Sequence, residues 1–338
     1  MKTHINFALL GCSRISSQHI EAIQALEDRC ALTDICDVDE EALFRTQTKT
    51  LASAYKDYDK MLSSSSADCV IITTPNGLHS EHSIKAAKAG FDVITEKPMA
   101  TNIADAEEMI KVCSKQKRKL FVVKQVRFSK SIQMIKKALE EGRFGQIYMV
   151  NLNLFWTRPQ EFYDTAEWRG SLKMDGGTLL NQGSHYIDII DWLFGPVTEV
   201  SAMNATLGRD IEAEDTSIIN LRLGKNSLGS IAMTVLTYPK NLECSLTVIG
   251  EEGTVKLGGP SLNKFYKWEF KHMKDGEENI ELMDPLPTGF PHTPYYEDIL
   301  NVLLNGADPQ TDGHEGIKSI KIIDSVIKSS KQNKPILL

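Results

Sequence analysis

The sequence predicts an α/β protein in which a doubly wound parallel sheet is followed by an α+β domain with a largely antiparallel sheet. Three observations lead to this prediction. In the first third of the chain, short apolar runs alternate with helical patterns, as in repeated βαβ units. After about Val126, successive strand patterns are separated by turn signals such as LGKNS and GEEG. The length of 338 residues exceeds what one hydrophobic core usually supports, so two domains are expected.

The composition argues against several classes of protein. A net charge of −7 disfavours a chain whose main partner is nucleic acid or an anionic membrane surface. No stretch approaches the ~20 apolar residues of a membrane span, and the opening residues MKTHINFALLG lack the pattern of a signal peptide. The six cysteines are scattered without a CxxC pair, which is typical of reduced thiols in a cytoplasmic protein.

The first predicted strand, Ile5 to Leu10, ends in a turn of the kind that binds a nucleotide. The turn has G-x-G-x-x-G spacing, with serine at the second and third glycine positions: Gly11-Cys12-Ser13-Arg14-Ile15-Ser16. A helical pattern follows it, and backbone N–H groups at a helix N-terminus bind phosphate oxygens. We therefore expect a dinucleotide to contact Gly11, Ser13, Arg14 and Ile15.

An acidic residue at the end of the second strand indicates which dinucleotide. The run ALTDIC leads into Asp37, 26 residues after Gly11, near the interval at which a carboxylate reaches the adenosine ribose. The next residue is Val38 rather than arginine, so a 2′-phosphate would lack a partner. NAD is favoured over NADP, although Arg14 could weaken that preference. The competing interpretation is a glycine turn with an acidic cap and no ligand.

Polar clusters follow the next three predicted strands, DCVIITTP, FDVITEKP and KLFVVKQV. Ligands of doubly wound sheets bind beyond the carboxyl ends of the strands. We therefore expect cofactor contacts from these clusters, together with the nearby His79: Thr74, Pro75, Asn76, Glu96, Lys97 and Gln125. His79 and His82 lie three apart, but no third ligand is spaced to join them, so no metal site is predicted.

A predicted helix over residues 178–193 carries polar groups within an apolar pattern. Asn181 and His185 are four apart and therefore share a face, with Asp188 three residues further. The ordinary interpretation of His185 is a core histidine that bonds Asp188. The preceding segment WTRPQEFYDTAEWR, residues 156–169, is dense in Trp, Arg and Tyr, which could equally reflect packing or a subunit surface.

These motifs occur together in one order: the Gly11–Ser16 turn, TTPNGLH, Glu96-Lys97-Pro98, Trp168-Arg169 and the GG-x3-N-x3-H-x2-D pattern from Gly176. Together they resemble the glucose-fructose oxidoreductase / inositol dehydrogenase (Gfo/Idh/MocA) family over nearly the whole chain. The resemblance implies a Rossmann domain that binds NAD(P) and a second domain with an open-faced sheet, through which homo-oligomers, dimers or tetramers, form. It also implies that Trp168 and Arg169 lie near the nicotinamide and the pyrophosphate.

We expect the NAD-binding domain over residues 1–125, the substrate and oligomerisation domain over 126–290, and C-terminal helices over 291–338 that pack back on the first domain. Within the family, the segments FVVKQVRF, YMVNLNLFWTRPQEFYD, EWRGS, NQGSHYID and VLTYPKNLE are similar to UDP-N-acetyl-glucosaminuronate 3-dehydrogenases. That subgroup oxidises the C3 hydroxyl of the nucleotide sugar for bacterial surface-polysaccharide (lipopolysaccharide O-antigen) synthesis. Some of its members recycle the reduced cofactor with 2-oxoglutarate.

The subgroup resemblance suggests a role for each polar residue. Our hypothesis is that Lys97 and His185 flank the reacting hydroxyl, with His185 as proton acceptor and Lys97 stabilising the alkoxide. Many family members carry aspartate where Asn181 stands; the neutral amide suits a substrate that brings a carboxylate. The resemblance assigns the sugar nucleotide to Arg158 and Tyr163, and more weakly to Lys124 and Arg127. A surface salt bridge is the alternative for Arg158.

Two other functions stay open at this point. The chain could be another sugar or polyol dehydrogenase of the same family, acting on inositol or a free hexose. It could also be a non-catalytic NAD-binding regulator, but the retention of Lys97 and His185 disfavours that function. The WTRPQEFY segment favours the nucleotide sugar, and only through resemblance.

Overall fold

The computed structural model describes residues 2–286 and 292–338. The chain forms two compact units. The first extends to Gln125 and includes a later segment that ends at Lys318; the second begins at Val126 and includes Ser319–Leu338.

The strands of the described residues are, in chain order, β1 Ile5–Leu10, β2 Cys30–Cys36, β3 Ser53–Tyr55, β4 Cys69–Ile72, β5 Asp92–Thr95, β6 Leu120–Val122, β7 Ile147–Phe155, β8 Val197–Ala205, β9 Thr216–Leu223, β10 Ser227–Thr234, β11 Glu243–Gly250, β12 Gly253–Gly258, β13 Lys264–Phe270 and β14 Ile336–Leu337. The α-helices are α1 Ser16–Gln24, α2 Glu40–Thr50, α3 Tyr58–Ser64, α4 His79–Lys88, α5 Ile103–Lys115, α6 Lys130–Glu140, α7 Gln160–Asp164, α8 Ser184–Phe194, α9 Thr293–Asn305 and α10 Gly313–Gln332.

The sheet of the first unit is parallel throughout, in the order β3-β2-β1-β4-β5-β6. Strand β4 is buried along its whole length, as expected for a strand covered by helices on both faces. The strand order reverses at β1, which has β2 on one side and β4 on the other. Ligands of such sheets bind where the order reverses. The predicted doubly wound sheet is confirmed, and the Gly11 turn lies at this point.

The sheet of the second unit is mixed, in the order β13-β12-β11-β7-β10-β9-β8-β14. Strands β7 and β10 pair in parallel, and the other neighbours are antiparallel. The largely antiparallel sheet predicted from the sequence is thus confirmed. The pairing of β14 with β8 was not predicted, because a two-residue strand has no periodicity to detect.

One face of this second sheet forms a core and the other is open. Along β9 buried and exposed residues alternate, with Ile219 and Leu221 buried and Ile218 half exposed. Met203 and Leu228 are on the same open face as Ile218 by register, and both are more than half exposed. Apolar side chains on an open sheet face are candidates for contact with another molecule.

The predicted helix over 178–193 begins with a different geometry. Leu179–Gly183 form a π-helical turn, and α8 follows from Ser184. Such turns are rare and are frequent at functional sites. The α-helical spacing assumed for Asn181 and His185 was therefore wrong for Asn181, which lies in the π-helical turn.

Two expectations about the whole chain can be compared with the described residues. None of their helices is long and apolar enough to cross a bilayer. All six cysteines are free and buried, as predicted.

Candidate functional site

The turn after β1 brings the backbone close to the end of β4. Gly11 has φ +100°, and a Cβ at this position would lie 2.8 Å from the carbonyl carbon and oxygen of Thr73. Only glycine tolerates both the conformation and the close approach. The turn is therefore fixed next to the first cluster that was predicted to bind the cofactor.

The two serines at the glycine positions of the motif stabilise the turn through hydrogen bonds to backbone carbonyls. Ser13 Oγ donates to Thr73 O at 3.1 Å, and Ser16 Oγ donates to Ser13 O at 2.6 Å. Ser13 and Arg14 are exposed beside the start of α1, whereas Ser16 is buried. The departures from the glycine pattern thus leave the N-terminus of α1 accessible to an anion.

Asp37 folds back onto this turn. Its Oδ2 accepts from the N–H of Cys12 at 2.6 Å, and its Oδ1 accepts from the N–H of Asp39 at 2.8 Å. Val38 beside it is 88% exposed. A fixed carboxylate at this strand end, without a basic residue next to it in sequence, suits the ribose hydroxyls of NAD.

Two histidines contact Thr74, the first residue of the Thr74–Asn76 loop. His79 is 1% exposed, and its ring nitrogens lie 2.7 Å from the carbonyl oxygens of Pro98 and Thr74. Burial lowers the pKa of His79, and the two carbonyl oxygens, which can only accept hydrogen bonds, oppose that change. His82 Nδ1 lies 3.0 Å from Thr74 Oγ1. His79 therefore links the loops after β4 and β5; a direct contact of its side chain with the cofactor stays a prediction.

Behind Lys97, Glu96 is the centre of a buried hydrogen-bond network. Glu96 Oε2 accepts from the N–H of Lys97 at 3.0 Å, and its Oε1 lies 3.1 Å from His19 Nε2. His19 Nδ1 lies 2.8 Å from the hydroxyl of Tyr296 on α9. Burial lowers the pKa of His19, and burial also keeps Tyr296 protonated by raising its pKa. A neutral His19 can then accept from Tyr296 and donate to Glu96. These hydrogen bonds fix the carboxylate of Glu96, which in turn holds the backbone N–H of Lys97.

His292 completes a group that the sequence did not reveal. Its Nε2 lies 3.5 Å from Glu96 Oε1, and ligand atoms of His19, Glu96 and His292 all lie within 4.8 Å of one another. Burial opposes ionisation of Glu96, but the two imidazoles outweigh it and hold the pKa of Glu96 well below its usual range. The three residues come from separate sequence positions, so no ligand spacing could indicate them. We interpret them as an ionised Glu96 that bonds His19, with His292 beside it; the His292 ring nitrogens have no hydrogen-bond partner among the described residues.

The third strand-end cluster follows β6. Lys124 and Gln125 are 5% and 6% exposed. Gln125 Oε1 is buried and has no hydrogen-bond partner among the described residues. An unsatisfied buried amide oxygen at this edge of the sheet is consistent with a ligand that has a donor group.

In the second unit, Asn181 and His185 are more exposed than their neighbours in sequence. Every residue from Asp175 to Ile190 is buried except these two. The side chain of Asn181 donates to Asp175 Oδ1, and Asp175 Oδ2 accepts from the N–H of Gly170 at 3.0 Å. The segment thus exposes one amide and one imidazole, so these two polar residues interrupt its apolar pattern at the positions that are not buried.

Sequence reasoning missed two buried acids that support this segment. Asp175 is 3% exposed and holds Asn181, and Glu214 is 8% exposed and accepts from the N–H of Leu179 at 2.8 Å. Asp175 stands next to the glycine pair and could have been considered from that position. Glu214 is 35 residues from Leu179, so its role depends on tertiary structure.

Asp188 and Arg127 form a buried ion pair rather than an isolated polar site. Arg127 Nε donates to Asp188 Oδ2 at 2.8 Å, and Nη2 donates to Oδ1 at 2.7 Å. Both residues are less than 5% exposed. The pair supports α8, and the predicted contact of Arg127 with substrate stays a prediction.

Arginines and aromatic rings alternate in the 156–169 segment. The Arg158 guanidinium lies 5.1 Å from the Trp156 ring centre, and that of Arg169 lies 4.3 Å from Phe162 and 4.7 Å from Trp168. Arg169 Nε is buried without a hydrogen-bond partner among the described residues. Arg158 Nη1 donates to Thr157 O at 2.7 Å, so this guanidinium is held by a hydrogen bond as well as by stacking. A stacked guanidinium can bind carboxylate or phosphate oxygens through its other N–H groups.

Tyr163 lies on the inner side of the same segment. It is 5% exposed, and its hydroxyl is buried beside Thr178. Burial raises the pKa of this hydroxyl, so Tyr163 remains a neutral phenol. The contact of Tyr163 with the sugar nucleotide stays a prediction.

A cavity of about 660 Å³ opens elsewhere on the second unit. Trp156 and residues of β11 to β13 line it, including Cys244, Lys256 and Tyr266. The lining described here does not include Asn181 or His185.

Two family models match the chain. A model for the NAD-binding Rossmann fold of an oxidoreductase family matches residues 5–124, and a model for the C-terminal alpha/beta domain of that family matches residues 136–338. Among curated relatives, D-apiose dehydrogenase of Paraburkholderia graminis is 26% identical over 351 residues, covering 98% of this chain and 89% of the relative.

Solved structures include closer relatives. The WlbA dehydrogenase of Bordetella pertussis, in complex with NADH and UDP-GlcNAcA, is 44% identical with a TM-score of 0.93, covering 99% of this chain and 98% of that chain. The WlbA enzyme of Chromobacterium violaceum, in the same complex, is 46% identical with a TM-score of 0.94, covering 99% and 96%. Levoglucosan dehydrogenase, at 20% identity and a TM-score of 0.86, shares the fold.

Proposed function

Since the chain belongs to the Gfo/Idh/MocA oxidoreductase family, we propose that it is an NAD-dependent dehydrogenase that oxidises the C3 hydroxyl of UDP-N-acetyl-D-glucosaminuronate (UDP-GlcNAcA) to the 3-keto sugar. The observation that carries this proposal is the burial pattern around His185: one imidazole and one amide are accessible in an otherwise buried segment. The two WlbA dehydrogenases that bind NADH and UDP-GlcNAcA support the choice of substrate.

The residues of the first unit fit NAD. The N-terminus of α1 beside Ser13 and Arg14 would hold the pyrophosphate, with Gly11 and Ile15 completing the turn. Asp37 would bind the adenosine ribose. The loops after β4, β5 and β6 would contact the nicotinamide half through Thr74, Pro75, Asn76, Glu96, Lys97 and Gln125. Trp168 and Arg169 are further candidates for the cofactor, from the family resemblance.

The chemistry needs a hydride acceptor and a group that takes the hydroxyl proton. NAD, when bound, accepts the hydride from the carbinol carbon. We assign the proton to His185, because an imidazole accepts protons near neutral pH. The Lys97 ammonium would stabilise the negative charge that develops on oxygen, because a positive group held beside that atom lowers the energy of the transition state.

The substrate assignments follow the charges of the nucleotide sugar. A uronate carries a carboxylate and UDP carries two phosphates, which planar guanidinium groups bind two oxygens at a time. Arg158, stacked on Trp156, is the strongest candidate, with Tyr163, Lys124 and Arg127 as further ones. Asn181 would bind a ring hydroxyl or the acetamido group. Its neutrality avoids repulsion of the substrate carboxylate.

We also propose a cytoplasmic homo-oligomer, a dimer or tetramer. The open face of the second sheet supports this, because Met203, Ile218 and Leu228 are exposed on it. Light scattering of the native protein and of Ile218→Asp tests the proposal. A native monomer would contradict it.

The decisive experiment compares substrates. Purified protein with NAD and 2-oxoglutarate is incubated with UDP-GlcNAcA, with UDP-N-acetylglucosamine as a matched control without the carboxylate, and with inositol or glucose. We expect the 3-keto nucleotide sugar by mass spectrometry, with kcat/KM for UDP-GlcNAcA at least ~10²-fold higher than for the others. 2-Oxoglutarate is included because some members of the similar subgroup use it to recycle the cofactor, and such recycling here would reoxidise reduced cofactor retained from purification. Preferred turnover of inositol or glucose would indicate a polyol dehydrogenase, and no product from any compound would indicate a regulator.

A further inference from the structure

Glu214 occupies an unusual position behind the candidate site. It precedes β9, is 8% exposed, and accepts from the backbone N–H of Leu179 at 2.8 Å. Leu179 is the first residue of the π-helical turn that contains Asn181 and leads into His185. The first N–H groups of a helix have no partner inside it, so a buried helix start needs an external acceptor. Glu214 supplies that acceptor.

The glycine pair before the helix makes room for this carboxyl. Gly177 has φ +88°, and a Cβ there would lie 2.8 Å from both side-chain oxygens of Glu214 and 2.9 Å from Cβ of Ala213. No larger residue fits without moving the carboxyl group. The buried carboxyl of Glu214 therefore packs directly against the backbone of Gly177, and this contact requires glycine at position 177.

We propose that Glu214 is a positioning residue: its carboxyl, seated against the bare backbone of Gly177, holds the start of the π-helical turn and thereby fixes where Asn181 and His185 point. This inference rests on the proposed function, which assigns the chemistry to those two residues. Glu214 touches neither of the reacting groups in that function and acts through the turn.

Charged neighbours affect the pKa of Glu214, and with it the contact that holds the turn. Asp175 and Asp215 face Glu214; Asp175 is bonded to Gly170 and Asn181, and Asp215 accepts from the backbone N–H groups of residues 207–209. Tyr163 and Arg169 also interact electrostatically with Asp175. Burial, and then repulsion from these two acids, raises the pKa of Glu214 to about 7. Above that pH Glu214 ionises against the repulsion of these two acids, and its carboxylate accepts from the N–H of Leu179 more strongly than the neutral carboxyl does, which strengthens the hold on the turn.

Two variants and one control test the proposal. Glu214→Leu removes the acceptor, and Glu214→Gln keeps an oxygen acceptor but cannot ionise. The control is Glu212→Gln, because Glu212 is exposed and also accepts from a backbone N–H, that of Leu172 at 2.8 Å. We expect Glu214→Leu to lose about 10²-fold in kcat with an unchanged KM for NAD, since misplacing reacting groups lowers turnover. We expect the ratio of native to Glu214→Gln kcat to rise as the pH rises through 7, because only the native side chain becomes a carboxylate.

Hydrogen–deuterium exchange gives a second reading that needs no substrate. The amide of Leu179 should exchange at least ~10-fold faster in Glu214→Leu than in the control variant. Glu214 variants that match Glu212→Gln in kcat at every pH, and in the exchange of Leu179, would overturn the inference. A native protein without turnover would overturn the proposed function instead, and the exchange of Leu179 would still decide whether Glu214 anchors the turn. If Glu214→Leu does not fold, the pH dependence of Glu214→Gln decides.

Discussion

Arg127 and Asp188 form a two-point ion pair inside the second unit, with N···O distances of 2.8 and 2.7 Å. Asp188 stands three residues beyond His185 on α8, and the guanidinium of Arg127 also lies 5.1 Å from the ring centre of Trp192 on the same helix. The pair therefore fixes the helix that presents the proposed proton acceptor.

We predict that Arg127→Met lowers the free energy of unfolding by about 3–5 kcal/mol, because it removes the guanidinium from a buried carboxylate. Urea denaturation measures this. The control is Arg45→Met, whose 2.7 Å pair with Glu41 is solvent-exposed and should contribute less than about 1 kcal/mol. An Arg127→Met protein of native stability that binds UDP-GlcNAcA poorly would show instead that Arg127 is a substrate ligand.

We predict that Lys97→Ala and His185→Ala each lower kcat by at least ~10²-fold while NADH binding, followed by fluorescence, is retained. Each variant removes a group proposed to act on the reacting hydroxyl, while Gly11 and Asp37 remain. Lys88→Ala on the surface of α4 and His272→Gln, also exposed, serve as controls. Normal turnover in both Lys97→Ala and His185→Ala would rule out the assignment.

Much of the first unit was predictable because the informative residues are close in sequence. Ile5 to Leu10, Gly11 and Asp37 lie in one βαβ unit, so strand pattern, turn geometry and the ribose acid are all local signals. The left-handed φ and the close approach of Gly11 to Thr73 are the physical reasons for the pattern that was recognised.

The support of the candidate site was not predictable in the same way. Glu214 meets Leu179, and His292 meets Glu96, only after the chain has folded, and no residue spacing encodes either contact. The π-helical turn also escaped prediction, because its apolar residues fit an α-helical pattern equally well. Roles of individual side chains were therefore inferred from resemblance, whereas their supporting residues required the structure.

We predict that Asp37→Ser lowers the ratio of kcat/KM with NAD to that with NADP by at least ~10-fold. The variant removes the fixed carboxylate that would accept from the ribose hydroxyls and repel a 2′-phosphate. Initial rates with each cofactor measure the ratio. Glu40→Gln, a nearby exposed acid with the same loss of charge, should leave it unchanged. An unaltered ratio in Asp37→Ser would mean that Asp37 only caps the turn through Cys12 and Asp39.

The network around Glu96 predicts a loss of stability toward acid. Burial lowers the pKa of His19, so below the ordinary histidine pKa of about 6.5 the unfolded chain takes up a proton that folded His19 does not. Glu96 acts in the same direction at lower pH: its folded pKa lies well below the ordinary value, so its contribution is present above about 4.3 and is lost as the pH falls below that.

His19→Gln isolates the first of these effects, because it removes the imidazole but keeps an amide donor that can reach Glu96. Between pH 7 and pH 5, the free energy of unfolding of this variant should fall less steeply than that of the native protein, by up to about 1.4 kcal/mol per pH unit. Urea denaturation at a series of pH values measures the slope, and the exposed His272→Gln should keep the native slope. A native slope in His19→Gln would mean that His19 takes up its proton in the folded state, and the neutral donor assigned to it beside Glu96 would then be wrong.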